Sequence, residues 1–411
     1  MIGRFIIRSL FKALSKLAPP FLKVVLNDYR LAHRRFLKRK LALNVAVEQG
    51  FDRRQIKFIR HVTFDELSSD GYDIRRIDDG AVPFDLNGSA EHEIPDHWKG
   101  PIPAIAPKIA TFQGAILFMD GSALLPGRRY CLADPTFAAR NWRERSNRPA
   151  LRYIDPETDE GLVYVPKRRM TIPGRCFSAR HSHPDNFCHF VHDVLTRIYY
   201  EDLGALDPKR DKVIAPTFRF PMQEILFEKI FEKYEIVQAP TGMALEVEEL
   251  RLPANLTSMS RFNSASMVAL SKRMRRIMEN YAKKERNKIC VSRRDGKRDK
   301  WREFGNEEAY EDLISKLGYC VVNVSDIDPD TQLELWANTT DIVGIHGAGM
   351  MNMIMMRPKG IYTEIGDMHN TIGRCAIVAG HQVRVIPSIK DSLGNAMIDL
   401  KRLEGKLNYH T

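Results

Sequence analysis

Asp341-Ile-Val-Gly-Ile-His-Gly-Ala-Gly-Met-Met-Asn352 reads as an apolar strand that runs directly into a glycine-rich loop, with a helix opening at once behind it. Gly344, Gly347 and Gly349 let the backbone turn tightly and come close to a ligand, and the unpaired N–H groups of a helix start attract phosphate. His346 then stands at the carboxyl edge of the strand, where open α/β sheets bind their ligands. The pattern falls short of the full G-x-G-x-x-G fingerprint, so it does not imply a dinucleotide. Without a ligand, the same loop is a tight turn holding a hydrogen-bonded histidine.

Outward from this loop, strands and helices alternate. Lys288 to Ser292 is a strand, and Glu307 to Leu317 a helix with Asn306 as N-cap and two acids in its first turn. Val321 and Val322 make a strand, Asp330 to Asn338 a helix, Met350 to Met356 a short helix, and Ile361 to Ile365 and Val383 to Ile386 strands. That alternation predicts a doubly wound parallel sheet. Upstream, Val213 to Ala215, the helix Pro221 to Tyr234 and the strand Glu235 to Gln238 repeat it. A long basic helix, Ser264 to Arg286, links the halves. Ala115 to Met119 is a buried strand that ends at the turn Asp120-Gly121; the rest of 46–150 is hard to read. A chain of 411 residues exceeds one ordinary core. We expect an appendage over 1–45, a first domain over 46–275 and a second over 276–411.

The net charge of +11 is concentrated at one end, for residues 1–60 hold fifteen Lys/Arg against three Asp/Glu. A nucleic-acid groove needs cations over the folded body, so nucleic acid is excluded as a partner. In the opening run, Arg4, Arg8, Lys12 and Lys16 recur every four residues beside a stripe of Ile6, Leu10, Leu14 and Leu17. The cations interrupt the apolar core that an export signal requires, and no run is long enough to span a bilayer. Together with the basic run Arg34 to Lys40, this is the layout of helices lying on an anionic membrane surface. Six scattered cysteines form no CxxC pair and fit a reducing compartment. The expected location is therefore cytoplasmic, peripheral on the inner face of the membrane.

Two further segments carry chemistry. Ile289-Cys-Val-Ser-Arg-Arg-Asp-Gly-Lys-Arg298 ends the first strand of the C-terminal sheet in cations, and Arg293 and Arg294 could clamp a diphosphate. His181-Ser-His-Pro-Asp-Asn-Phe-Cys-His-Phe-Val-His-Asp193 lies in the first domain. With Asp185 as cap, a helix there aligns Asn186, His189 and Asp193 on one face, with His192 beside them. An aspartate one turn from a histidine orients it as a general base requires. Four histidines here also resemble a metal site, but the spacing matches neither HExxH nor a Cys/His finger. Asp326-Ile-Asp328 is similar to a metal-binding DxD, but it sits in a loop ahead of a helix and is discounted.

These three segments, in this order and over roughly residues 170–390, resemble glycosyltransferase family 61. The resemblance implies a GT-B fold, two Rossmann-like doubly wound domains facing a cleft. It further implies an inverting transfer from a nucleotide sugar to a glycan or glycolipid hydroxyl, no metal and no other cofactor, and a part in bacterial surface polysaccharide synthesis. By position it carries over Asn186, His189, Asp193, Arg293, Gly344, His346, Gly347, Ala348, Gly349, Asn352 and Glu364. On that basis we expect Asp193, His189 and His346 to be catalytic, with Asp193 or His189 as the base. We expect Arg293, its neighbour Arg294 in the basic loop, Gly347, Ala348, Gly349, Asn352 and Glu364 to bind the donor, with Glu364 on ribose hydroxyls, and Asn186, with the adjacent His192, to support the acceptor. Thr196 stands where the family usually has proline, and Met350 to Met356 is unusually rich in methionine. Two rivals remain open, a metal-dependent hydrolase built on the His181 to Asp193 cluster and a non-catalytic membrane scaffold.

Overall fold

The computed structural model describes residues 56–62, 67, 72–85, 92–119, 121–128, 130–132, 151–155, 160–165, 167–181, 183, 186–240, 243–257, 261–294, 303–366 and 369–408. The basic segment 1–45, Asp185, Lys297 and Arg298 lie outside them. The chain is a mixed α/β structure with parallel strands in both of its large sheets.

The first sheet comprises β1 (Ile56–Val62), β2 (Ile74–Arg76), β3 (Lys108–Leu117), β4 (Ala123–Leu124), β5 (Tyr130–Leu132), β6 (Leu151–Asp155), β7 (Glu160–Tyr164), β8 (Arg169–Ser178), β9 (Asp211–Ile214), β10 (Glu235–Val237) and β11 (Ala244–Pro253). Their order is β10-β9-β8-β11-β3-β4-β5-β1-β7-β6, with β2 paired to β3. The four strands β10-β9-β8-β11 run parallel in the Rossmann order and β1 also pairs parallel with β5, but β11 meets β3 antiparallel, with Leu250 opposite Phe112. The expectation of a second complete doubly wound sheet is thus met over four strands and corrected over the rest. The reason is local: Gly121, at φ +83°, closes a tight hairpin between β3 and β4, and hairpins make antiparallel neighbours. A Cβ there would come within 2.8 Å of the Arg180 carbonyl oxygen.

The second sheet holds β12 (Asn287–Val291), β13 (Cys320–Val322), β14 (Thr339–Ile345), β15 (Ile361–Ile365) and β16 (Gln382–Ile386), all parallel, in the order β13-β12-β14-β15-β16. Its apolar runs are buried on both faces, as parallel strands between helical layers must be. Helices α1 (Pro221–Ile230), α2 (Ser264–Glu279), α3 (Glu307–Lys316), α4 (Pro329–Ala337), α5 (Thr371–Val378) and α6 (Leu400–Asn408) surround the sheets. α2 is shorter than its sequence suggests. Asn338 donates to the Tyr281 carbonyl and accepts from Lys283 N, which holds 281–283 out of the helix. Asn306 precedes α3, but its side chain makes no cap; it pairs with the backbone of Ile398 instead.

The largest core is continuous between the halves, taking Phe177, Val213 and Phe262 from one and Ile289, Ile342 and Tyr362 from the other. Residues 92–98 tie them further. Glu93 exchanges backbone hydrogen bonds with Val383 and Val385 along the edge of β16, and Trp98 seats against Gly373 of α5. An edge covered in this way offers no free ladder to another chain. No helix of the described residues is long and apolar enough to cross a membrane.

Candidate active site

Both clusters of chemically capable side chains lie at the places where strand order reverses. In the second sheet the chain passes from β12 to β13 on one side and returns as β14 on the other, so a crevice opens between the carboxyl ends of β12 and β14. Arg293 follows β12 and His346 follows β14, and the Arg293 Nη1 donates to the His346 carbonyl. The glycines are required by this contact. A Cβ on Gly347 would overlap the Arg293 guanidinium, and one on Gly344 would lie 2.6 Å from the Met350 sulfur. Behind the bend, Ala348–Met355 forms a 3-10 helix, whose first N–H groups have no partner within the helix.

His346 Nδ1 bonds Glu364 Oε1 at 2.7 Å, and Tyr362 donates to the other carboxylate oxygen. Glu364 is wholly buried, so its carboxylate orients His346 in this structure and presents no surface to a ribose. The register explains the pairing, since Gly344 lies opposite Glu364 in neighbouring parallel strands. Asn352 turns its amide inward to the Gly349 carbonyl at 2.8 Å and braces the bend. Arg294 stands apart from this group; its Nε is paired with Glu311 at 2.8 Å.

The first sheet has its own reversal between β8 and β11, which carry His181 and Thr257 just beyond their ends. Between them lies the segment 187–202. It is α-helical over Phe187–His189, a π turn over Phe190–Val194 and a 3-10 turn over Leu195–Ile198. Asn186 is the N-cap, accepting from Cys188 N at 3.0 Å and His189 N at 3.4 Å, the role the sequence reading gave Asp185. Single π turns recur at functional sites, and this one holds both His192 and Asp193. Thr196 donates to the His192 carbonyl at 2.6 Å.

Asp193 is the centre of the cluster. Its carboxylate meets His189 Nδ1 at 2.8 Å, His192 Nδ1 at 2.7 Å, His181 Nε2 at 3.3 Å and the Thr257 hydroxyl at 2.5 Å. Burial is the largest influence on the carboxyl and pushes its pKa up, but His192, His181 and the hydrogen bonds together outweigh it and hold Asp193 well below the usual carboxylate range. Burial lowers the His192 pKa, so that imidazole is neutral at neutral pH and serves as a hydrogen-bond donor. His189 is the exposed member, with 32% of its side chain accessible, and is the ring an incoming hydroxyl can reach.

Sequence reading missed the scaffold of this cluster. Thr257 and Asn255 come from beyond β11, and Arg197 spans the Ser178 and Arg180 carbonyls and Asn255. Arg374 arrives from α5 in the other half, stacked 4.8 Å from the Phe262 ring. No local signal marks any of them, because strand order alone brings them together. The two clusters are neighbours: Phe187–His189 packs on Ala348–Met355, and the Cys188 thiol, pushed well up by burial, also feels Cys375, Asp193 and Glu364.

His181, His189 and Asp193 place potential ligand atoms within 4.8 Å of one another and could hold a metal ion. His183 N donates to His181 Nδ1 at 3.1 Å, which puts the neutral ring's proton on Nε2, pointing at Asp193. The DxD residues are local, with Asp328 capping α4 through Thr331 N and Asp326 accepting from Asn323.

The chain is a layered α/β structure with imidazole–carboxylate pairs at both sheet reversals. Residues 187–363 match the family described as Glycosyltransferase 61, and this domain supports a glycosyltransferase as the enzyme class. A family of that kind acts on a sugar donor and an acceptor. No curated protein matches the chain.

Proposed function

We propose that the chain is an inverting glycosyltransferase of GT-B arrangement that uses no metal and moves a sugar from a nucleotide-sugar donor to a hydroxyl of a glycan or glycolipid. The setting is bacterial surface polysaccharide synthesis at the inner face of the cytoplasmic membrane. The observation that carries the chemistry is the His189–Asp193 pair beside the Arg293–His346 bend, each at a strand-order reversal. In this reading the acceptor hydroxyl loses its proton to Nε2 of His189, whose tautomer Asp193 fixes through Nδ1. The oxygen attacks the anomeric carbon from the face opposite the diphosphate, the bond from that carbon to the phosphate oxygen breaks, and the nucleoside diphosphate leaves with the electron pair. Arg293 and the amides from Gly347 to Gly349 stand where the departing negative charge collects, and His346, set by Glu364, can hydrogen-bond a phosphate oxygen.

A thermal-shift panel of nucleotides and nucleotide sugars tests the donor site, because a ligand that binds only the folded chain raises its melting temperature. We expect one nucleoside diphosphate and its sugar conjugates to stabilise the protein, and the Arg293→Ala variant to lose that response. A panel without any shift would remove the nucleotide-sugar donor. The three-ligand geometry of His181, His189 and Asp193 favours a metal-dependent hydrolase as second reading. Full transfer activity after exhaustive chelation would dismiss it. A scaffold without chemistry requires that Asp193→Ala and His346→Ala change no transfer at all.

A further inference from the structure

A cleft of about 620 Å³ opens between the loop around Asp79–Val82, the end of segment 187–202 and the outer face of α2. Its nearest lining residue on that segment, Tyr199, stands ten residues of helix beyond His189, roughly 15 Å, so the cleft is separate from the active site. Two successive Asp side chains build its loop, Asp78 accepting from Gly80 N at 3.1 Å and Asp79 from Ala81 N at 3.2 Å. The loop thrusts Val82 outward with 68% of its surface exposed.

Charges in the cleft divide into committed and uncommitted groups. Asp79 accepts from Asn263 at 2.7 Å and Tyr199 at 3.3 Å, and Asp202 is bound bidentately by Arg273 at 2.6 and 3.0 Å. Lys272 and Arg276 have no hydrogen-bond or ion-pair partner among the described residues. With Val268, 36% exposed, they recur every four residues and so form one stripe on the outer face of α2. The cleft therefore offers two unpartnered cations at one end and, beside the hydrogen-bonded Asp79 carboxylate, apolar Val82, Val268 and Ala265 at the other, with a net positive charge. A volume of this size suits a small ligand, and the two ends call for an anion attached to hydrocarbon. A glycan would find no exposed aromatic face to stack on and would leave the valines against hydroxyls.

We propose that this cleft is a docking site for the headgroup of an anionic phospholipid, with Lys272 and Arg276 on the phosphate and Val82 and Val268 against the first acyl carbons. It seats the folded body on the bilayer, independently of the transfer reaction and of the basic segment at the start of the chain.

The test is flotation of the full chain with phosphatidylcholine vesicles, with and without phosphatidylglycerol. Each cation near an anionic surface contributes about fivefold, so the Lys272→Glu/Arg276→Glu variant should lose roughly tenfold or more in partitioning onto anionic vesicles. Val82→Asp should lose several-fold. The N-terminal segment contributes equally to wild type and variants, so the difference reports the cleft. Lys272→Gln/Arg276→Gln serves as the milder pair if charge reversal disturbs folding, read by the thermal melt. Transfer to a soluble acceptor without vesicles should be unchanged in all of them. Equal flotation of wild type and both double variants would overturn the proposal. So would a melting shift from inorganic phosphate that Arg276→Gln abolishes while vesicle binding stays intact, or retention of an acidic oligosaccharide through the same residues in place of vesicles.

Discussion

At the scale of single residues, Asp193 has every oxygen lone pair directed at a protein donor, one of them His189, the base of the proposed reaction. Asp193→Asn keeps the shape but presents an amide where a carboxylate accepted, so His189 takes the other tautomer and loses its base nitrogen. We expect kcat to fall by about a thousandfold, within the range such orienting carboxylates give, while the donor KM changes little. Steady-state kinetics with the stabilising nucleotide sugar would check this, and an equal rise in KM would mean that Asp193 shapes the donor site instead. His381 makes a different prediction. Burial, with Arg275 nearby, lowers its pKa from 6.5 to about 4. In the unfolded chain it takes a proton as pH falls through 6.5, whereas the folded chain refuses one until about 4. Its contribution is thus complete above 6.5 and is lost between 6.5 and 4, by at most about 3 kcal/mol. Thermal melts of wild type and His381→Gln between about pH 7 and about pH 4.5 should converge as the pH falls. Parallel curves would show that other groups, His192 among them, carry the acid sensitivity.

At the scale of elements, helix ends do the positioning. Asn263 caps α2 by accepting from Ser266 N at 2.9 Å, and the same amide donates to Asp79 at 2.7 Å and to the Ile105 carbonyl at 2.8 Å. One wholly buried side chain thus fixes a helix start, the loop bearing Val82 and the approach to β3. Removing it forfeits a cap worth about 1 kcal/mol and leaves two half-buried acceptors without their donor, at about 1 kcal/mol each. Asn263→Ala should therefore lower the unfolding free energy by about 3 kcal/mol, read from the urea midpoint at unchanged m-value. A loss below about 1 kcal/mol would mean that water replaces the amide at Asp79 and Ile105. The π turn acts in the same way for chemistry, since it lets one short segment aim two consecutive side chains, His192 and Asp193, at a common point.

At the scale of the whole molecule, the halves are joined by packing as well as by chain connection. Trp98 is 3% exposed and sits where a Cβ on Gly373 would come within 2.6 Å of its ring. Arg374, next in sequence, carries its charge to the Asp193 side. Trp98→Ala leaves a cavity between the halves, with an expected cost of about 3 to 4 kcal/mol in chemical denaturation. If the halves unfold in one transition in wild type and in two in this variant, Trp98 is the tie that makes them cooperative; an unchanged single transition at wild-type midpoint would refute that. The proposed reaction depends on this seam, because it draws Arg293 and His346 from one side and His189 and Asp193 from the other.

The sequence alone determined the C-terminal sheet and its glycine bend. Strand, glycine loop and helix are written in consecutive residues, so periodicity and backbone freedom suffice to read Asp341 to Asn352, and the i, i+4 spacing of His189 and Asp193 likewise specifies their pairing. Tertiary structure decided the rest. Thr257 reaches Asp193 across 64 positions of chain only because β8 and β11 are neighbours, and Glu364 turns to His346 only because β14 and β15 lie in register. The mixed first sheet was illegible for the same reason: a short buried run carries no mark of which strand it will join or in which direction, and that choice is made by packing against partners distant in the chain.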